Sequence, residues 1–234
     1  MKEKSLPVAI LAGGLATRLR PTTEAIPKAL VSVNGLPFLT HQLKLLASHS
    51  LLDVVLCVGY LGEQIESIYG EGSSYGVQIR YSYDSPSLCG TAGALRRALP
   101  LLGEAFLVLY GDSYLEIDYR AVQKNFTDSN ARSLMTVVEN SHGAERSNVW
   151  FENQQVLAYN KTNPLPQMRY IDYGFSAYRA ECFVNYRGND LCGLQSELAE
   201  RREMAGFEVT VPYHEIGSPS GLKALEEHLR NPRL

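Results

Sequence analysis

Residues 7–11 form a short, wholly apolar run that stops at a glycine pair, Gly13-Gly14. A run of that length with no polar face predicts a strand buried on both sides. A glycine pair at its carboxyl end predicts a tight loop. The theme recurs: residues 53–58, apolar after Asp53, and 105–110 again read as buried-strand runs, and residues 77–81 alternate. The stretches between them, 38–47, 61–69 and 92–99, carry apolar residues at helical spacing. Alternating strands and helices predict an α/β fold with right-handed crossovers. We expect a Rossmann-like mixed, mostly parallel sheet with helices on both faces. Ligands of such sheets bind outside the carboxyl ends of the strands, which points to the segments after Leu11 and after Tyr110.

The second half is less regular. It predicts a strand at 133–138, a hairpin of 148–151 and 155–159 around Glu152-Asn153-Gln154, and a strand at 171–178. A helix at 193–204, a strand at 207–212 and a closing helix at 219–229 follow. No repeat or linker interrupts the 234 residues, so one domain over 1–234 is expected. A net charge of −3 argues against a nucleic-acid surface. The four cysteines form no CxxC pair, as in a protein with reduced thiols. Residues 1–7 lack the apolar core of a signal peptide and no run is long enough to span a bilayer. The expectation is a cytoplasmic protein without nucleic-acid or membrane partners.

The chemistry concentrates in Leu11-Ala12-Gly13-Gly14-Leu15-Ala16-Thr17-Arg18-Leu19-Arg20-Pro21, followed by Pro27-Lys28-Ala29-Leu30. Paired glycines let backbone N–H groups approach a phosphate closely. Arg18 can grip phosphate in bidentate fashion, and Lys28 can act as a point charge. The string contains neither GxGxxG nor GK[ST], so it is neither a dinucleotide fingerprint nor a P-loop. Taken alone, Gly-Gly is equally a turn between strand and helix. Downstream, Tyr110-Gly111-Asp112 places a carboxylate at a strand's carboxyl end, where it is suited to hold Mg²⁺.

As a whole, the string resembles the signature of the sugar-phosphate nucleotidyltransferase family, LAGGxGTRLxPxT…PKxL, with Ala16 in place of a glycine. A positive φ at Ala16 would carry a cost. The resemblance implies that Leu11, Ala12, Gly13, Gly14 and Thr17 bind nucleotide and that Arg18 and Lys28 are the catalytic charges. Residues 83–94 resemble the family's E-x-P-L-G-T-x-G-A segment, which implies Gly90 and Thr91 against the base. Thr91 is also a natural N-cap for the helix that follows. Asp112 matches the metal-binding Gly-Asp. Residues 213–219 resemble W-x-D-x-G-T-P, which makes Glu215 a second Mg²⁺ ligand, while Ser218 before Pro219 is also a helix start. Asn160-Lys161 resembles a Glu-Lys pair, and residues 171–174 resemble I-N-x-G. Lys161, Asp172 and Gly174 are thereby implied at the sugar phosphate. Two changed polar residues imply an acceptor other than plain glucose 1-phosphate. The plainer reading of Asp172 is a surface strand residue.

The resemblance covers essentially the whole chain, densely over residues 8–39 and thinly after residue 120. It implies Mg²⁺-dependent transfer of a nucleoside monophosphate from a nucleoside triphosphate to a sugar 1-phosphate, with release of pyrophosphate. Homo-oligomerisation is left open. Short single-domain members of similar size are heptose 1-phosphate guanylyltransferases and muramyl 1-phosphate uridylyltransferases, which lack the C-terminal β-helix of longer ones. Two other readings stand beside it. One is a cytidylyltransferase acting on a non-sugar phosphate. The other is a catalytically silent, sugar-nucleotide-binding regulatory protein, against which the retained Arg18, Lys28 and Asp112 argue.

Overall fold

A computed structural model describes residues 5–19, 21–84, 87–141 and 146–231. Arg20 of the glycine string and Ser85-Pro86 of the second segment lie outside the described residues. In chain order the elements are β1 (Val8–Leu11), β2 (Ser32–Val33), β3 (Leu36–Pro37), α1 (Phe38–Ser48), β4 (Asp53–Val58), α2 (Gly62–Tyr69) and β5 (Gln78–Tyr83). There follow α3 (Gly90–Leu102), β6 (Ala105–Tyr110), β7 (Ser113–Tyr114), α4 (Tyr119–Asp128), β8 (Ser133–Glu139), β9 (Val149–Glu152) and β10 (Gln155–Tyr159). The chain closes with β11 (Tyr170–Arg179), α5 (Glu181–Val184), α6 (Leu191–Glu200), β12 (Met204–Val209), β13 (His214–Glu215) and α7 (Pro219–Arg230).

One mixed sheet carries the fold, in the order β5-β4-β1-β6-β11-β8-β12-β10-β9. From β5 to β6 every neighbour is parallel. Beyond β6 the sheet continues antiparallel through β11 to β8, and β12 then joins β8 in parallel. The apolar runs of β1, β4 and β6 are explained by two buried faces. Alternate residues Val8, Ile10, Val54, Leu56, Leu107 and Leu109 pack with residues of α1, α2 and α4. Their neighbours Ala9, Val55, Cys57, Phe106 and Val108 pack with α3 and α6 on the other side. Each fully buried side chain of this size contributes about 1.5–3 kcal/mol. A third cluster, with Leu19, Val33, Phe38, Tyr114, Ile216 and Leu225, fastens the turn after the glycine loop to β7, β13 and α7.

Three expectations are corrected. Helix α3 starts at Gly90, with Cys89 as its N-cap residue, so Thr91 does not cap it. Helix α6 spans Leu191–Glu200 and stops short of Met204, the expected helix end. Arg202 takes φ +60°, and Glu203 N–H returns to Leu198 O. Met204 instead opens β12, fully buried and paired with Ser133, so tertiary pairing overrides helical spacing. The strand expected at 207–212 accordingly lies earlier, at Met204–Val209.

Candidate active site

The carboxyl ends of β1, β4 and β6 open into a cleft of about 240 Å³, floored by Leu11, Ala12, Gly13 and Gly14 and walled by Gly90 and Thr91. Small residues are demanded by close backbone approach. A Cβ on Gly111 would lie 2.4 Å from Leu11 O, and one on Gly13 3.1 Å from Gly59 N. Gly111 N–H donates to Leu11 O and Ala12 N–H to Cys57 O, so the loop leaves the sheet at a fixed height. Ala16 does take positive φ, +48°, where the family has glycine. Its carbonyl accepts from Thr23 Oγ1 at 2.8 Å and from Leu19 N–H, which hold the strained turn.

Lys28 and Asp112 meet at the mouth of this cleft. Lys28 follows Pro27 on a single 3₁₀ turn, and its Nζ donates to Asp112 Oδ2 at 2.8 Å. Asp112 and Glu215 stand 103 residues apart in sequence but are joined by a two-residue ribbon. Strand β7 pairs antiparallel with β13, placing Ser113 opposite Glu215, and Ile216 N–H donates to Asp112 O at 2.9 Å. Thr17 and Arg18 are exposed on the turn beyond the loop. Arg18 reaches the same ribbon from outside: a Cβ on Gly217 would lie 2.9 Å from Arg18 Nη2 and 3.1 Å from Glu215 Oε2.

Asp112 lines the cleft and Glu215 lies on the ribbon paired beside it; carboxylates of this kind suit Mg²⁺, which takes one or two protein carboxylates and fills its remaining positions with phosphate and water. Among the described residues, no group of three or more His, Cys, Asp or Glu is arranged to hold a metal. A cation at Asp112 and Glu215 would therefore draw most of its ligands from substrate and solvent.

A second polar cluster adjoins the first through Tyr110. Asp172, on β11, has a side chain only 2 % exposed, which corrects its reading as a surface residue. Its Oδ1 accepts from Gly174 N–H at 3.1 Å and its Oδ2 from Tyr159 OH at 3.2 Å. Burial pushes the Asp172 carboxyl above its usual range, and the nearby Lys161 ammonium opposes that shift. Lys161 Nζ stands 3.9 Å from Asp172 Oδ2 and 5.8 Å from the ring centres of Tyr110 and Tyr159. Gly174, at φ +97°, packs against Ser113, so it braces the ribbon behind Asp112. Asn160 is taken up by a local turn, accepting from Thr162 and Asn163 N–H.

Thr91 lines the cleft, but its hydroxyl is engaged elsewhere: Oγ1 accepts from Leu191 N–H at 2.8 Å and pairs with Asp190 at 3.1 Å. It thereby ties the starts of α3 and α6 together. Sequence reading missed Tyr110 and Tyr159, whose rings frame Lys161, and Asp84. The Asp84 carboxylate lines the cleft and accepts from Cys89 Sγ at 2.8 Å. Adjacency was the available signal: Tyr110 precedes Gly111-Asp112, Tyr159 precedes Asn160-Lys161, and Asp84 lies within residues 83–94.

The chain is 42% identical over 113 residues to an N-acetylmuramate alpha-1-phosphate uridylyltransferase of Neisseria meningitidis, covering 48% of this chain and 49% of that one. It is 34% identical over 116 residues to a D-glycero-alpha-D-manno-heptose 1-phosphate guanylyltransferase of Campylobacter jejuni, covering 50% and 52%. The chain thus spans about half the length of these curated relatives. Two solved structures share the fold. HddC from Yersinia pseudotuberculosis superposes with TM-score 0.81 at 21% identity, covering 96% of this chain and all of that one. The inositol-1-phosphate CTP transferase from T. maritima superposes with TM-score 0.78 at 19% identity, covering 96% and 94%. The nucleotidyl transferase family matches residues 8–148, from the strand that feeds the glycine loop to the start of the hairpin. With the cleft, Lys28 and Asp112 all inside that span, the chain belongs to the nucleotidyl transferase family.

Proposed function

We propose that the protein, working as a single catalytic domain in the cytoplasm, transfers a nucleoside monophosphate from a nucleoside triphosphate to a sugar 1-phosphate and releases pyrophosphate. The observation that carries this reading is the Lys28–Asp112 pair in the glycine-loop cleft, beside the Lys161–Asp172 cluster and joined to Glu215 through the β7–β13 ribbon. The named activities of the Neisseria and Campylobacter relatives, both acting on 1-phosphates of sugars, support it.

An oxygen of the sugar phosphate attacks the α-phosphorus of the triphosphate. A new P–O bond forms, the bond to the bridging oxygen of the β-phosphate breaks, and pyrophosphate leaves with the electron pair. The nucleophile is already an anion, so no side chain need remove a proton. The protein's contribution is position and charge. The amides of residues 13–17 cradle the triphosphate, Arg18 neutralises the leaving pyrophosphate, and Lys28 meets the α-phosphate. Lys161 binds the phosphate of the acceptor, and Asp172 orients Lys161 and the sugar. Asp112 and Glu215 would hold Mg²⁺, which when bound supplies charge neutralisation at the reacting phosphates.

The test is to incubate the protein with Mg²⁺, each of five nucleoside triphosphates and a panel of sugar 1-phosphates, and to identify products by mass spectrometry. A nucleoside diphosphate sugar from one pair supports the reading and names both substrates. Product only with inositol or choline phosphates would replace the sugar with a non-sugar alcohol. Nucleotide binding without any product would replace the enzyme with a binding protein.

A further inference from the structure

Helix α1 buries Phe38, Leu39, Leu43 and Leu46 against the sheet, and on the same buried side it carries an amide, Gln42, only 2 % exposed. An amide in such a place is costly unless it is hydrogen-bonded. Gln42 Nε2 donates to two carbonyls, Tyr110 O at 3.0 Å and Ser113 O at 2.7 Å. These carbonyls bracket Gly111-Asp112. The dipeptide is held on its other sides by Gly111 N–H to Leu11 O and by Ile216 N–H to Asp112 O. One nitrogen therefore staples both ends of the turn that carries the Asp112 carboxylate.

The chemistry of the staple is narrow. Its position requires two hydrogens on one neutral atom. A carboxylate would face two carbonyl oxygens. An ammonium would add a positive charge behind an aspartate already paired with Lys28. A leucine, the residue the helical pattern would favour, would leave both carbonyls without this donor.

We propose that Gln42 is a positioning residue that fixes the aim of the Asp112 carboxylate, and through it the affinity of the site for a divalent cation. The inference rests on the reading of Asp112 as a metal-holding residue. Groups that orient a metal's ligands typically contribute about 10-fold or more in affinity.

The test titrates the full chain with Mn²⁺ alone, following free ion by electron paramagnetic resonance, with thermal melting measured beside it. Gln42→Met should raise the Mn²⁺ Kd by about 10-fold. Gln42→Asn keeps the amide one methylene short of its reach and should fall between Met and wild type, which preserves the test if the Met variant does not fold. Thr40→Val is the control. It removes an equally buried hydrogen bond of the same helix, to Tyr69 OH at 2.8 Å, away from Asp112. It should lower the melting temperature and leave the Kd at the wild-type value. Wild-type Kd in both Gln42 variants, or an equal shift in Thr40→Val, would overturn the positioning role while leaving the metal reading intact. No Mn²⁺ binding by the wild type would overturn the metal reading, and the inference with it.

Discussion

The two ends of the cleft are built from different materials. The end proposed for the nucleotide is lined by many small residues, among them Ala12, Gly13, Gly14, Ala16 and Gly90, and Gly111 lets the segment after β6 close on Leu11. The end proposed for the acceptor is a side-chain cluster, in which Lys161 and Asp172 meet between Tyr110 and Tyr159 and the Asp172 side chain is buried. On the proposed reading, a backbone cradle would read the phosphates that every nucleoside triphosphate shares. On the same reading a side-chain cluster would read what differs between acceptors, so the Lys161–Asp172 end would set the identity of the substrate.

That contrast can be broken or sharpened by substitution. The largest effect is expected where the ends meet. Lys28→Ala should lower kcat by about 10²–10³-fold, the usual cost of removing a group that stabilises transition-state charge. Steady-state kinetics at saturating substrates would check it, and near-normal turnover would remove Lys28 from the chemistry. On the nucleotide side, Gly111→Ala would drive a Cβ to 2.4 Å from Leu11 O. Forcing β1 and β6 apart should cost about 3 kcal/mol, read by denaturant unfolding. An unchanged midpoint would show that the loop can yield.

On the acceptor side, Asp172→Asn should raise the KM for the sugar phosphate about tenfold with kcat little changed, because one charged hydrogen bond is worth roughly 1.5–3 kcal/mol. The KM of the nucleotide should stay put; if it moved as much, the two ends would not be separate. The same variant carries a pH signature. Burial raises the folded pKa of Asp172 above its ordinary 3.8. The protonated carboxyl suits the folded state at low pH, and that contribution is lost as pH rises through the raised value. Asp172→Asn, which cannot ionise, should therefore gain in melting temperature relative to wild type as pH rises from about 4 to 7.

The smallest effect tests whether Thr91 belongs to the site or to the scaffold. Thr91→Val removes the acceptor for Leu191 N–H at the start of α6. It should cost about 1 kcal/mol of stability, as a lost cap does, with the nucleotide KM unchanged. A raised KM would return its side chain to the nucleotide.

Legibility in the sequence follows the same division. The glycine loop lies in one contiguous string, and a glycine pair after an apolar run has few physical meanings, so loop, strand and parallel sheet could be read together. Even the strained conformation of Ala16 was legible from its place in the pattern. The acceptor end was harder. Asp172 sits between Ile171 and Tyr173 in an alternating strand, and alternation does not say whether its face is covered. That face is covered by Tyr159 and Lys161, which the folding of the later hairpin brings against it, a fact of tertiary structure. The ribbon joining Asp112 to Glu215 has two residues per strand, too short for any period to register. Thr91 finds its partner 100 residues away, and Gln42 reads in the sequence as a polar interruption of an apolar stripe.

The central claim is that Asp112, with Lys28 and Glu215, forms one phosphoryl-transfer centre. The most direct test compares pyrophosphate release by the wild type and by Asp112→Asn, with the best substrate pair and with Mg²⁺ varied over a wide range. The account predicts release by the wild type, a loss on the order of 10³-fold in the variant, and only partial recovery at high Mg²⁺. Equal rates for the two proteins at every Mg²⁺ concentration would contradict it.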